Sequence, residues 1–155
     1  MKIRRVGIAG FGMIAENAHG PALRSVGAET TAIFDPESVR REAAARAVPF
    51  ARVFDRLDRL LSVEKSLDAL IVCSPPKFHA EAVVAGLNAG LHVLCEKPLT
   101  LDDDAFDAIR SASKAANRCV YSINNWAFSP QWSRLLEVSA SGRLGAIRRV
   151  EIRVL

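Results

Sequence analysis

The feature that most restricts the fold of this chain is a regular alternation of short apolar runs with longer amphipathic runs. The short runs are rich in Val, Ile, Leu and Phe, which favour strands. One of them, Ala69 to Val72, is apolar throughout, as expected for a strand covered on both faces of a sheet. Strands that alternate with helices across short connections are typical of βαβ units. The sequence therefore predicts an α/β fold, a Rossmann-type doubly wound parallel sheet.

We expect six strands in this sheet, over residues 4–9, 30–34, 52–54, 69–72, 91–95 and 119–123. Helices are expected over residues 36–47, 55–61, 77–89 and 131–139. A further helix is expected to follow Thr100, which we assign as its cap, because three aspartates fill the first turn. The helix that begins near Gly12 is expected to break at His19-Gly20-Pro21 and to resume with Pro21 in its first turn.

A glycine-rich turn, Gly10-Phe11-Gly12-Met13-Ile14-Ala15, follows the first predicted strand. In such a turn the first glycine permits a tight bend and the second lets the backbone approach a diphosphate. The small Ala15 allows the helix to pack closely on the strand, and amides at the helix start supply donors to the phosphates. We therefore predict that Gly10, Phe11, Gly12, Met13 and Ile14 bind a dinucleotide. A purely structural glycine turn is the alternative.

Asp35 ends the second predicted strand, twenty residues after Ala15. This is about where a carboxylate accepts hydrogen bonds from the adenosine ribose of a dinucleotide. A carboxylate there also repels a 2′-phosphate, so NAD is the predicted cofactor. Arg40 and Arg41 are close enough in sequence to leave NADP open, although a solvated helix face also explains them.

Glu96-Lys97-Pro98 comes directly after the fifth predicted strand. Open α/β sheets bind their ligands at the carboxyl ends of the strands, so Lys97 is predicted to point into the ligand crevice. An ammonium there can donate to a carbonyl oxygen or exchange a proton with a hydroxyl. We expect Glu96 to hold the ammonium of Lys97; an ordinary loop charge is the alternative.

The pattern changes after residue 123, which suggests a division into residues 1–123 and 124–155. A polar and aromatic loop is followed by the predicted helix, a glycine turn and an alternating segment, Ala146 to Leu155. That segment is expected to be a half-exposed strand without a partner. We interpret residues 124–155 as the connecting helix and first strand of a second, truncated α+β domain.

Composition excludes several classes of function. The net charge of +4 is spread over scattered arginines with few aromatics, so no nucleic-acid partner is expected. Three cysteines are expected to be buried free thiols in a reducing cytoplasm, and the three histidines show no metal-ligand spacing with them. No run approaches the roughly 18 apolar residues of a membrane span. Arg4-Arg5 imitates an export signal, but a buried first strand explains the apolar run that follows.

Together these motifs resemble the Gfo/Idh/MocA family of oxidoreductases. The resemblance rests on the segments 6–15, Ser74-Pro75-Pro76-Lys77-Phe78-His79, 89–98, 125–130 and 142–145, in the right order and spacing. It implies nicotinamide-dependent hydride transfer on a sugar, polyol or related substrate, with Lys97 as the catalytic residue. It also implies that Ser74, Pro75 and His79 line the nicotinamide end of the cofactor, with Glu96 and Asn125 nearby. His79 could instead stabilise the start of its helix.

The chain departs from the family pattern in three ways. Pro76 stands where an asparagine is common, and Ala127 stands where an arginine is common. Family members also carry a second domain that covers the crevice, whereas this chain is expected to stop within its first strand. Three alternatives therefore stay open: an enzyme that forms a homo-oligomer or takes the missing domain from a partner, a non-catalytic nucleotide-binding module, and a truncated remnant.

Overall fold

The computed structural model describes residues 3–151 and contains one parallel sheet of six strands. The strand order is β3-β2-β1-β4-β5-β6, and all five strand pairs are parallel. The strands are β1 (Arg5–Ala9), β2 (Glu29–Phe34), β3 (Arg52–Phe54), β4 (Ala69–Val72), β5 (His92–Cys95) and β6 (Val120–Ser122). The order reverses between β1 and β4, as in doubly wound sheets. The predicted fold class is confirmed.

Helices connect the strands in the predicted sequence. They are α1 (Gly20–Ser25), α2 (Ser38–Ala47), α3 (Leu57–Val63), α4 (His79–Asn88) and α5 (Asp103–Ala116), and α6 (Pro130–Ala140) follows β6. A π-helical turn, Ala15–His19, precedes α1, and a 3₁₀ turn, Pro76–Phe78, precedes α4. Connections of this kind make parallel pairing of neighbouring strands feasible.

Two apolar clusters cover the two faces of the sheet. Neighbouring residues of one strand belong to different clusters, because side chains alternate across a sheet. Ala9 packs with residues of α3, α4 and α5, whereas Ile8 packs with residues of α1 and α2. β4 divides in the same way at Leu70 and Ile71. The continuously apolar β4 is thus buried on both sides, as its sequence predicts.

Two local predictions require correction. The helix does not break at His19-Gly20-Pro21; the chain passes instead through the π-helical turn, in which the Gly20 N–H donates to the Ala15 carbonyl. The wider turn is compatible with Pro21, which has no N–H to donate. The cap of α5 is Asp102, whose side chain accepts from the Ala105 N–H at 2.8 Å, and not Thr100. Thr100 instead accepts from the Asp102 N–H at 3.0 Å.

The chain divides into two compact units, Met1–Ile123 and Asn124–Leu155. In the second unit, the Ser129 hydroxyl caps α6 by accepting from the Trp132 N–H at 3.2 Å. The predicted strand over residues 146–155 is absent from its described part, residues 146–151, and residues 152–155 lie outside the described range. A strand needs a neighbour for its backbone groups, and the segment 146–151 pairs with none in the described chain. The assignment of residues 124–155 to a second domain stays a prediction.

The cysteines were expected to be buried. Cys95 is fully buried and Cys73 is partly buried, but Cys119 is exposed. Cys119 lies just before β6, the edge strand of the sheet, where one side of the strand lacks a neighbour. The expectation is therefore wrong for Cys119.

Candidate functional site

The glycine-rich turn contains two glycines with opposite surroundings. Gly10 follows β1 with φ of +93°, and a Cβ atom there would lie 2.7 Å from the backbone nitrogen of Ser74. Only glycine fits, because the ends of β1 and β4 approach through their backbones. At Gly12 no atom lies within 4 Å of the place a Cβ would take. The turn is therefore closed on the sheet side and open at its second glycine.

The open side of this turn suits an anion. Met13 and Ile14 start the helical segment and are 70% and 51% exposed. The first amides of a helix have no acceptor within the helix, so they are available to a ligand. With space at Gly12, these amides fit the diphosphate of a dinucleotide. The residues predicted for this role, Gly10 to Ile14, form one continuous segment that leads from the end of β1 into the first helical residues.

Asp35 supports the turn from the end of β2. Its Oδ2 accepts from the Phe11 N–H at 2.8 Å, and its Oδ1 accepts from the Glu37 N–H at 2.9 Å. The carboxylate is 7% exposed. Each carboxylate oxygen can accept more than one hydrogen bond, so capacity for a ribose hydroxyl remains. Asp35, the residue predicted to bind the ribose, therefore also holds the glycine-rich turn against the end of β2.

Sequence reasoning treated Arg41 as an outward-facing residue of α2. Its Nη1 instead donates to the carbonyl oxygens of Asp35 at 3.1 Å and Pro36 at 2.7 Å. The guanidinium thus lies beside the loop that follows β2, whereas Arg40 is exposed. The positive charge of Arg41 therefore lies next to Asp35, the residue predicted to bind the ribose. Arg41 lies six residues after Asp35 in sequence, and nothing in that spacing indicates that Arg41, and not Arg40, contacts the loop.

The loop after β4 contains Ser74, Pro75 and His79. The Ser74 hydroxyl oxygen is buried and has no hydrogen-bond partner within residues 3–151, and Pro75 is exposed. His79 is only 1% exposed, and its Nδ1 and Nε2 each lie 2.7 Å from a carbonyl oxygen, of Pro98 and Ser74 respectively. The structure thus gives His79 a supporting place at the start of α4. Contact of these three residues with a cofactor stays a prediction.

The side chains of Glu96 and Lys97, which follow β5, form no hydrogen bond or ion pair with each other. Oε1 of Glu96 lies 2.9 Å from Nε2 of His19, and the two side chains are 16% and 13% exposed. Oε2 accepts from the backbone N–H of Lys97 at 3.2 Å. The expectation that Glu96 holds the ammonium of Lys97 is therefore corrected. Successive side chains at the end of a strand leave in different directions, which separates the carboxylate from the ammonium.

Lys97 is exposed, and its ammonium makes no hydrogen bond or ion pair with the described residues. Its peptide bond to Pro98 is cis. The carboxyl ends of β1, β2, β4 and β5 thus bring together the glycine-rich turn, Asp35, Ser74 and Lys97 at one edge of the sheet. This edge is the place at which a doubly wound sheet binds its ligand.

The charge of Glu96 also acts on two thiols. Burial first, and then the nearby Glu96 carboxylate, raises the pKa of Cys95 to about 12. The same two causes, with a contribution from Cys95, raise the pKa of Cys73 well above its usual range. Both thiols therefore stay protonated at neutral pH, so neither is suited to act as a nucleophile.

Asn125 belongs to the second unit and is exposed there. Its predicted place near the reacting centre stays a prediction. The sequence carries no signal for the contact that His19 makes, because the local pattern at His19-Gly20-Pro21 indicates only a helix break. The ion-pair partner of His19 is 77 residues away, and no local pattern reports such a distance.

Between residues 3 and 151, no group of three His, Cys, Asp or Glu side chains could hold a metal ion. No helix of this range is long and apolar enough to cross a membrane.

The comparisons with known proteins agree with this geometry. The profile of an oxidoreductase family with an NAD-binding Rossmann fold matches residues 4–123. Inositol 2-dehydrogenase of Corynebacterium glutamicum (strain R) is 32% identical over 148 residues, which are 94% of this chain and 44% of that protein. D-xylose 1-dehydrogenase (NADP(+)) 2 of Haloferax volcanii is 33% identical over 141 residues, 91% of this chain and 43% of that protein.

A solved structure is similar over the same range. The WlbA dehydrogenase from Bordetella pertussis, in complex with NADH and UDP-GlcNAcA, has a TM-score of 0.86 at 26% identity and covers 93% of this chain. The chain spans 44% of that structure, and therefore less than half the length of these relatives. The family profile nevertheless covers well over half of the chain. The chain therefore belongs to the Gfo/Idh/MocA oxidoreductase family and has its NAD-binding Rossmann fold.

Proposed function

We propose that this chain is the cofactor-binding part of an NAD-dependent oxidoreductase that acts on a sugar, a polyol or a related hydroxyl or carbonyl compound. The observation that carries the proposal is the contrast between Gly10, closed against Ser74, and Gly12, open to solvent. This contrast leaves a cradle for a diphosphate at the switch point between β1 and β4. The membership of the family and the NADH bound to the WlbA relative support the same cofactor.

The residues have separate roles in this proposal. The amides of Gly12, Met13 and Ile14 bind the diphosphate, because the N–H groups of Gly10 and Phe11 are already bonded within the protein. Asp35 accepts from the adenosine ribose. Ser74, whose hydroxyl has no hydrogen-bond partner among residues 3–151, and Pro75 would line the nicotinamide end of the cofactor, together with His79 and Glu96. Asn125 is proposed as a further residue of the cofactor site. When bound, the nicotinamide supplies hydride transfer to or from a carbon of the substrate.

Lys97 is the proposed catalytic residue. Its ammonium is not engaged by the described residues, so its donors can bind the oxygen of the reacting carbon. A cation there stabilises negative charge on that oxygen and can give or take its proton. Cys73 and Cys95 do not compete for this role, because burial and Glu96 raise the pKa of each thiol.

NAD is proposed over NADP because Asp35 places a carboxylate where a 2′-phosphate would lie. Arg41 beside Asp35 and the NADP-dependent relative from Haloferax volcanii support NADP as the second candidate. We also propose that residues 124–155 begin a substrate domain. Trp126 and Phe128 are 71% and 78% exposed, which supports coverage by further protein, whether from a second copy or a partner. A cytoplasmic location fits three thiols without a disulfide.

The second candidate function is a nucleotide-binding module without catalysis. It is favoured by the place of the glycine-rich turn and Asp35, which would bind a nucleotide whether or not Lys97 takes part in a reaction. The oxidoreductase and the non-catalytic module would bind the cofactor at the same site, but only the oxidoreductase would turn over a substrate. A remnant would differ from both in binding no cofactor.

The test combines binding with turnover on the full chain. Titration calorimetry with NADH and NADPH should show one site with a preference for NADH. Absorbance at 340 nm with inositols, aldoses and sugar nucleotides then separates the enzyme from the module. Lys97→Ala should abolish turnover and leave NADH affinity within about threefold, since the lysine lies beyond the diphosphate and ribose. Absence of NADH binding by the wild-type chain would refute both candidates.

A further inference from the structure

The pair formed by His19 and Glu96 has no part in the roles assigned so far. It joins two distant parts of the chain, the π-helical turn behind the glycine-rich loop and the end of β5. Both side chains are largely buried, at 13% and 16% exposure. A partly buried ion pair or charged hydrogen bond fixes its members more firmly than an exposed one.

The π-helical turn is what gives His19 its place. A π-turn inserts one extra residue into a helix and redirects the side chains that follow. Here the Gly20 N–H bonds to the carbonyl of Ala15, five residues before it, and His19 is the last residue of the turn. Such turns are frequent at functional sites. His19 is thereby held within 2.9 Å of Glu96.

Glu96 has both carboxylate oxygens engaged. One faces His19, and the other accepts from the backbone N–H of Lys97. The ammonium of Lys97 is the nearest cation in sequence, yet it forms no ion pair with any described residue. A carboxylate released from His19 would be one residue from that ammonium and free to pair with it.

We propose that His19 is a positioning residue that keeps the Glu96 carboxylate away from the Lys97 ammonium, so that the ammonium stays available to the substrate oxygen. The importance of this positioning for catalysis rests on the proposed function. The contact between His19 and Glu96, and its effect on Lys97, are properties of the folded chain. They can therefore be measured without cofactor, substrate or turnover.

The measurement is the rate at which Lys97 is acetylated by a trace of acetic anhydride at pH 8, quantified for each lysine by mass spectrometry. Lys114 is exposed on α5 and serves as the internal reference. An ammonium paired with a carboxylate loses its proton less readily and reacts more slowly. In His19→Leu we expect Lys97 to react roughly fivefold more slowly than in wild type, the effect of one new contact between unit charges in water.

Two matched variants separate positioning from general damage to the structure. His19→Gln retains a donor near the position of Nε2 and should keep the Lys97 rate within about twofold of wild type. In a Glu96→Gln background, His19→Leu should no longer slow Lys97, because no carboxylate is left to be released. An equal slowing in this background would overturn the proposal.

Glu96→Gln alone provides a test that does not depend on the folding of His19→Leu. If His19 already holds the carboxylate away, this variant should change the Lys97 rate less than about twofold. Acceleration by several fold would show that the carboxylate contacts the ammonium in the wild-type protein and would overturn the proposal. Calorimetry with NADH on the same samples keeps the two hypotheses apart. Loss of binding by the wild type refutes the proposed function, and the Lys97 rates still decide the role of His19.

Discussion

The ring of His79 connects the start of α4 to the Glu-Lys-Pro turn, since its Nδ1 lies 2.7 Å from the carbonyl oxygen of Pro98. The residue it reaches directly follows Lys97. Nε2 lies 2.7 Å from the carbonyl oxygen of Ser74, so the same ring also meets the loop after β4. Two loops that carry predicted site residues are thus held by one buried side chain.

Replacing His79 should therefore destabilise the protein. His79→Leu keeps an apolar side chain at a buried position but removes the contacts of the ring with the carbonyl oxygens of Pro98 and Ser74, and we expect the free energy of unfolding to fall by about 2–4 kcal/mol. Urea denaturation followed by circular dichroism measures the change. His92→Leu is the control, because its ring is half-buried and makes one bond, from the Cys119 N–H at 3.1 Å. Equal losses in the two variants would contradict the supporting role.

The two glycines of the turn should respond oppositely to alanine. Gly10→Ala introduces a Cβ at φ of +93° and 2.7 Å from the Ser74 nitrogen, so we expect a loss of stability of roughly 2–4 kcal/mol. Gly12→Ala meets no atom within 4 Å and should change stability by less than about 1 kcal/mol. Its methyl group would occupy the space proposed for the diphosphate, so NADH affinity should fall at least tenfold. Unchanged NADH affinity in Gly12→Ala would place the cofactor elsewhere.

Much of the fold could be predicted because local signals were strong. The bounds predicted for β3 and β4, residues 52–54 and 69–72, are the observed ones. The helix predicted over residues 77–89 corresponds to the 3₁₀ turn and α4, and Gly90 follows it with φ of +80°. The strand predicted over residues 146–155 is wrong for its described part, and the reason is not local. Its alternating sequence fits a strand, but residues 146–151 form none, since pairing depends on a neighbour and not on the segment itself.

The residues of the candidate site also differ in whether a local sequence pattern predicts them. The loop at Gly10 and the carboxylate at Asp35 carry sequence patterns that report their place at strand ends. The partners of Glu96 and His79 do not, because they depend on how segments 77 and 19 residues apart meet in space. Adjacent opposite charges suggested a pair between Glu96 and Lys97, and tertiary contacts with His19 decided otherwise.

Asp35 should set the choice between the two nicotinamide cofactors. Asp35→Asn removes the negative charge, so we expect the ratio of NADH to NADPH affinity to fall roughly tenfold, as for loss of one nearby charge. The NH2 group also replaces one of the two oxygens that accept from Phe11 and Glu37, which should weaken the binding of both cofactors and leave the ratio as the informative quantity. Titration calorimetry with both cofactors measures the ratio. Glu37→Gln is the matched control, because its carboxylate is exposed two residues away and should leave the ratio unchanged. A ratio unaffected by Asp35→Asn would contradict the role of Asp35 beside the ribose.

Cys95 should make the folded state less stable in alkali. Burial and the charge of Glu96 raise its pKa to about 12 from the ordinary value of 9.0, so between these pH values the folded protein keeps a proton that the unfolded chain loses. Fewer protons on the unfolded state mean that the free energy of unfolding falls as pH rises, by at most about 1.4 kcal/mol per pH unit for one group. Urea denaturation at pH 8, 9 and 10 measures the slope.

Comparison of two alanine variants isolates the contribution of Cys95 to this slope from that of the rest of the protein. Cys95→Ala should show a shallower decline above pH 9 than wild type, because the buried thiol is gone. Cys119→Ala should keep the wild-type slope, since it removes an exposed thiol and leaves the buried Cys95 in place. Parallel slopes in all three proteins would mean that the Cys95 thiol is not held protonated by its burial and by Glu96.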